Sequence, residues 1–364
     1  MTQEVTIGID FNILSNFLCI TEYRPPELRK TFPYSVALTI GGEKVNLHFF
    51  NTVLDDDGTA IYPNVDILIG VDDKANNINY KNQYQKAFFR RVFKKTDQVA
   101  LLNEAADALG LNHYYRFKAT NYKNFLASEQ PHVLIKPELA AEGLDHFIVD
   151  TRRIDPVSMI NTMRGFSKEL EFIAFINDHH DAISHYSGLG LEPKEEAVGI
   201  LKDAKHVTPF SSFTRVSEPD FSVQEIVQDI KKEYRVILDK DKEPVFIVPR
   251  LRKANQHPEL QFSLVDYKQG YGEEFLTEEA GRLDVDIIEV FSDPSDIKDF
   301  KRLVQSDFFE PVSSLDLFVC EDGRWGIFEF NPQFGLKVYP LELKFKWHMN
   351  YIKEIAFEYL KQKQ

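Results

Sequence analysis

A chain of 364 residues is too long for one compact core of ordinary size, and with 43% hydrophobic and 13% aromatic residues it has ample surface to bury, which excludes disorder and predicts several folded lobes. A formal net charge of -14 opposes an extended contact with a phosphate backbone and so excludes nucleic acid as a partner, while leaving room for a local basic pocket that takes a small anion. No apolar run approaches the ~20 residues of a membrane span, the start lacks a secretory signal, and Cys19 and Cys320 cannot build a disulfide framework, so a cytoplasmic protein with two buried thiols is expected.

In chain order, the apolar runs Ser35 to Ile40 and Lys44 to Phe50 flank Gly41-Gly42-Glu43 and predict a β-hairpin. Asp55-Asp56-Asp57-Gly58 is expected to be a solvated turn, and Val65 to Val71 a buried strand. From Thr96 the period changes: Val99, Leu102, Ala106 and Leu109 recur at helical spacing and Gly110 supplies the stop. A short strand follows at His132 to Lys136, then a loop around Glu142-Gly143, then a strand at Phe147 to Asp150. The adjacent His179 and His180 are expected to cap or face solvent and not to bind zinc. Phe221 to Val227, Tyr234 to Leu238 and Val245 to Val248 predict strands, as do Leu315 to Val319 and Trp325 to Phe330 on either side of a turn at Asp322-Gly323. A closing helix puts Phe345, Met349, Ile352, Ala356 and Tyr359 on one face.

Three elements carry candidate chemistry. On the last predicted hairpin Glu329 and Asn331, two apart, face the same side, and the turn can bring Asp316 beside them. Three hard oxygen ligands suit Mg²⁺, which completes its octahedron with phosphate and water. The competing reading is an ordinary row of polar residues on an exposed strand. Val133-Leu134-Ile135-Lys136-Pro137 ends a hydrophobic strand on a lysine that can reach nucleotide phosphates, where a Gly-bearing loop can cover them, although most such lysines are simply solvated. In the third element the backbone at Glu225 and Ile226 can hydrogen-bond adenine, Glu233 can hold ribose hydroxyls, and Arg235 and Arg250 can fork onto phosphate or carboxylate.

Together, Val-Leu-Ile-Lys136-Pro, Gln-Glu225-Ile-Val with Glu233-Tyr-Arg235, and Asp316 with Glu329-Phe-Asn331-Pro resemble the ATP-grasp superfamily, in particular carboxylate–amine ligases such as the enzymes that add glutamate to a ribosomal protein. The likeness spans roughly residues 93 to 340. It implies an α/β (α+β) fold in which two α+β lobes clasp ATP behind a smaller N-terminal domain, with boundaries at 1–92, 93–210 and 211–364. It further implies Lys136 on the ATP phosphates with Lys95 as the second nucleotide lysine, Glu225 and Ile226 on adenine, and Glu233 on ribose. Asp316, Glu329 and Asn331 would hold magnesium, and Arg235 and Arg250 would contact phosphate or substrate as catalytic groups. The implied reaction joins a small-molecule carboxylate to an amine or peptide terminus (or a thiol) through an acyl phosphate, forming a C–N bond with release of ADP and phosphate. Rival readings are a kinase with the same nucleotide apparatus and a nucleotide-binding protein without turnover.

Overall fold

The computed structural model describes residues 4–10, 34–40, 42–50, 53–54, 60–61, 64–72, 86–91, 93–126, 130–138, 146–186, 220–239, 241–250, 285–309 and 313–331, together with 352–353, 355–356 and 359–361. The N-terminal part holds β1 (Glu4–Asp10), β2 (Tyr34–Ile40), β3 (Glu43–Phe50), the two-residue pair β4 (Val53–Leu54) and β5 (Ala60–Ile61), β6 (Ile67–Asp72) and β7 (Lys86–Arg91). Five of these form one sheet in the order β2-β3-β1-β6-β7, in which β1 pairs parallel with both β3 and β6, and β6 with β7. The expected hairpin is β2 and β3: Ile40 pairs with Glu43, and Gly42 takes a left-handed φ of 91° that a side chain would oppose.

Alternating Val5, Ile7 and Ile9 put one face of that sheet into a core with Val45, Leu47, Ile67 and Ile69. Its cover includes Ile352, Ile355, Ala356, Tyr359 and Leu360. The Tyr359 hydroxyl donates to Asp66 Oδ1 at 3.2 Å, so the closing helix, grouped by sequence with the C-terminal lobe, shares its core with the first sheet. The Asp55 to Gly58 turn, the Gly143 loop and the Phe345 and Met349 positions lie outside the described residues.

Helix α1 (Lys95–Ala108) follows and ends as expected at Gly110, whose φ is 66°. Next come β8 (Ala119–Asn121), β9 (His132–Pro137), β10 (His146–Asp150), α2 (Pro156–Arg164), α3 (Glu169–Asp178), β11 (Ile183–Tyr186) and β12 (Phe221–Glu225). The sheet runs β11-β10-β9-β12-β8 with every recorded pairing antiparallel. Helix α2 begins where Asp155 accepts the Ser158 N–H at 2.8 Å and Pro156 presets the first turn, so Met159, Ile160 and Met163 face Val133, Ile135, Phe147 and Val149. His179 and His180 lie at the end of α3 with ring nitrogens 2.9 Å from the carbonyls of Phe175 and Asn177, in keeping with the capping expectation. Strand β12 belongs to this sheet although the sequence boundary at 210 assigns it to the next lobe.

The last sheet comprises β13 (Ile230–Leu238), β14 (Pro244–Arg250), β15 (Ser314–Cys320) and β16 (Trp325–Asn331), in the order β14-β13-β15-β16 and antiparallel throughout. Val236, Leu315, Leu317, Ile327 and Phe330 share one face, whose core includes Phe291, which caps the end of α4 (Ile287–Val290), Phe300 and Leu303 of α5 (Pro294–Val304), and Leu102 and Ala106 of α1. Helix α1 therefore closes the core of this sheet. Cys320 is buried, as expected of a small hydrophobe. No helix among the described residues is long and apolar enough to cross a membrane.

Gly326 on β16 meets the Phe318 ring so closely that an added Cβ would stand 2.5 Å from Cζ and 3.1 Å from the Tyr115 carbonyl oxygen. The ring is fully buried and has little room to retreat. Gly326→Ala is expected to destabilise the protein by ~1–3 kcal/mol, read as a lower midpoint in chemical denaturation. A wild-type midpoint would show that the ring yields freely.

Candidate nucleotide and cation site

The polar face of the last sheet is set by register. Arg235 of β13, Asp316 of β15 and Glu329 of β16 lie directly opposite one another across three strands and so share a face, with Glu233 two residues from Arg235 on the same side. Arg235 forks onto Asp316, with Nε 2.9 Å from Oδ1 and a terminal nitrogen 3.0 Å from Oδ2. After Asp316 the pairing shifts, and Leu317 meets Ile327, leaving Phe328 as the extra residue of a β-bulge. The bulge puts Phe328 and Glu329 together off the core face. The Phe328 ring lies tilted against the Phe318 ring at 4.3 Å between centres, and Glu329 Oε1 lies 3.2 Å from the Asn331 amide nitrogen.

The opposing wall comes from β9 and α1. Val133 and Ile135 point to their own helices, so Lys136 takes the other face, with its ammonium 5.7 Å from the Phe328 ring centre. Lys95, at the first turn of α1, is buried and lies 3.8 Å from Glu329 Oε2. The structure thus brings together Lys95, Lys136, Glu233, Arg235, Asp316, Glu329 and Asn331 at the joint between two sheets.

Electrostatics make this one unit. Burial pushes the Lys136 pKa down, with Lys95 adding to that effect and Glu329, Glu233 and Asp316 opposing it. Burial pushes the Glu329 carboxyl up, but Lys95, Lys136 and Arg235 outweigh it, and with the Asn331 amide they hold it down at about 2. Glu329 is therefore ionised throughout the physiological range. Lys95, Lys136 and Arg235 face Glu233, Asp316 and Glu329, three cations against three carboxylates, so the cluster as described is near neutral. Such a site suits a ligand that brings both signs, as a divalent cation on a polyphosphate does.

The donor set fits a hard divalent ion. Glu329 is anionic, Asp316 is held in one orientation by the Arg235 fork, and turning the Asn331 amide presents its oxygen beside Glu329.

Glu225 and Ile226 lie further along. Glu225 pairs with Val133, whereas Lys136 pairs with Ser222 three residues before it. The Glu225 carboxylate accepts the Lys118 N–H at 2.9 Å, and its own N–H donates to the Lys118 carbonyl. The Ile226 N–H donates to Gln130 Oε1 at 3.0 Å. The backbone N–H groups of both residues are thus engaged within the chain. Arg250 pairs by backbone with Glu233, and its side chain, like Arg252, lies outside the described residues.

Two contributors escaped the sequence reading. Glu138, 1% exposed, accepts from the Thr96 N–H at 3.0 Å and its hydroxyl at 2.7 Å, fastening the start of α1 to the end of β9. Burial raises its pKa against those hydrogen bonds. Beside it Asp220 accepts from Lys94 and Asn121. Gln98 is the second, a polar residue on the otherwise apolar stripe of Val99, Leu102 and Ala106, and that mismatch was a legible signal.

No protein-family model and no curated protein matches the chain. Among the solved structures that it resembles are an ATP-grasp ligase and amino-acid ligases. D-alanyl-alanine synthetase A from Vibrio cholerae is 11% identical with a TM-score of 0.40 over 100% of this chain and 98% of that one. D-alanine–D-alanine ligase from Helicobacter pylori is 15% identical at 0.35 over 92% and 93%. The ATP-grasp ligase PsnB, solved with a minimal precursor, is 10% identical at 0.34 over 92% of each. At such scores these likenesses do not bear on what the chain does, which is read from the site itself.

Proposed function

We propose that the chain is an ATP- and magnesium-dependent ligase of the ATP-grasp type that joins a carboxylate to an amine through an acyl phosphate and releases ADP and phosphate. The observation that carries this reading is the convergence of Lys95 and Lys136 from one side with Asp316, Glu329 and Asn331 from the other. Lys95 and Lys136 hold phosphate oxygens and neutralise the charge that gathers on the transferring group. Asp316, Glu329 and Asn331 hold magnesium, which when bound offsets further phosphate charge. Arg235 fixes the Asp316 carboxylate in one orientation, and Arg250 contacts phosphate or the substrate carboxylate.

Glu233 takes ribose hydroxyls, and the 225–226 backbone takes adenine once Gln130 turns away from Ile226. The carboxylate attacks the γ-phosphorus with ADP leaving, and the amine then displaces phosphate from the acyl carbon. The chain supplies position and field for both steps, and neither step requires a covalent bond to the protein. A screen of ADP release across amino acids and short peptides tests the reading. One or more acid–amine pairs should stimulate release with equimolar phosphate. A product that retains the phosphate would assign a kinase instead.

A further inference from the structure

Among the described residues β16 is the edge of its sheet, and no further strand there meets its outward N–H groups. Near its start the 113–115 segment serves: the Trp325 N–H donates to the His113 carbonyl at 3.0 Å and the Tyr115 N–H to the Trp325 carbonyl at 2.6 Å. Near its end a side chain does the same work. Phe330 N–H donates to Gln98 Oε1 at 3.0 Å, and Gln98 Nε2 donates to the Phe93 carbonyl at 3.3 Å.

Phe330 stands between Glu329 and Asn331, and Gln98 lies one helical turn after Lys95 on the buried face of α1. The first hydrogen bond therefore ties the segment that bears the carboxylate and amide to the helix that bears the cation, and the second steadies the Gln98 amide against the residue just ahead of that helix, with Gln98 only 7% exposed. The Phe93 and Phe330 rings meet edge to face at 5.3 Å beside the tie.

We infer that Gln98 is a positioning residue of the nucleotide site: by holding Phe330 it sets the reach of Lys95 to Glu329 and the placement of Glu329 and Asn331 toward a shared cation. The inference rests on the nucleotide reading above. Gln98 touches neither nucleotide nor metal; it fixes the two segments that do, in the way that outer partners orient metal ligands. The same geometry explains why a residue able both to donate and to accept is buried in an apolar stripe.

The test is calorimetric titration of a non-hydrolysable ATP analogue at a series of magnesium concentrations, with the full chain. Gln98→Leu keeps the volume and removes both hydrogen bonds, and the magnesium concentration for half-maximal binding is expected to rise roughly 10- to 100-fold, the scale for lost outer partners. Asn103→Leu is the control, since Asn103 on the same helix donates to the Phe117 carbonyl at 3.0 Å away from the site. It should lower the melting temperature and leave the magnesium dependence at the wild-type value. If Gln98→Leu does not fold, Gln98→Met, which fills the space with a flexible chain, is read by the same titration. A folded Leu or Met variant with the wild-type half-point, or an Asn103→Leu variant shifted equally, overturns the inference. A wild type that binds no nucleotide at any magnesium concentration overturns the reading beneath it, and the inference with it.

Discussion

Glu329→Gln is expected to lower turnover by roughly 100-fold or more, the scale on which removal of a single transition-state electrostatic contact acts, while leaving the fold intact. The substitution keeps the shape and one oxygen but takes away the charge that faces Lys95 and Lys136. Two losses follow. In the proposed cation site the Asp316 carboxylate would be the one charged ligand left, and three cations would then stand against two carboxylates. Lys136 also loses the first of the neighbours that hold its pKa up against burial, so its pKa moves further down.

Since phosphate binding uses the protonated amine, affinity falls as pH rises through the Lys136 pKa, and in Glu329→Gln that fall comes at a lower pH than in the wild type. The measurements are turnover against magnesium concentration with the substrate pair found by ADP release, and analogue affinity against pH. An ordinary exposed strand residue would change stability within about 0.5 kcal/mol and shift neither curve. A Glu329→Gln enzyme with full turnover at limiting magnesium removes the cation assignment.

Much of this site was legible because period-two alternation is a local property. Glu329 and Asn331 read as one face from their spacing alone, and Asp322-Gly323 predicted the turn that brings Asp316 opposite, with Gly323 at a φ of 87°. Lys136 was legible from a different local signal, since it breaks a continuous apolar run at the end of a strand. The bulge at Phe328 was not, because an extra residue in one strand shows only against the partner's register. Nor were the partners of whole elements. The apolar stripe of α1 predicts a helix without saying that it packs on β16 in the core of the third sheet, which is what carries Lys95 to Glu329. The N-terminal strands likewise show their apolar faces but not their parallel pairing, which joins residues about 40 positions apart, as in Glu4 with Lys44. The occupied N–H of Ile226 depends on Gln130, nearly a hundred residues away, and no local pattern records it.

Lys136→Met is expected to weaken binding of a non-hydrolysable ATP analogue by ~1.5–3 kcal/mol, the range for hydrogen bonds to charged groups. Burial lowers the Lys136 pKa, so an ammonium held here is short of water and gains more from a phosphate oxygen than a solvated surface lysine does. Methionine retains an unbranched stem against the Phe328 ring, which separates loss of charge from loss of packing. Glu233, Asp316 and Glu329 remain in the variant with one cation fewer, so the site turns net negative and repels a polyphosphate that arrives without its metal. The deficit should therefore be larger at low magnesium than at saturating magnesium, whereas a lysine that merely packs at the joint would weaken binding equally at both. Calorimetry on the folded variant at two magnesium concentrations reads the difference, and unchanged affinity at both would place Lys136 outside the phosphate site.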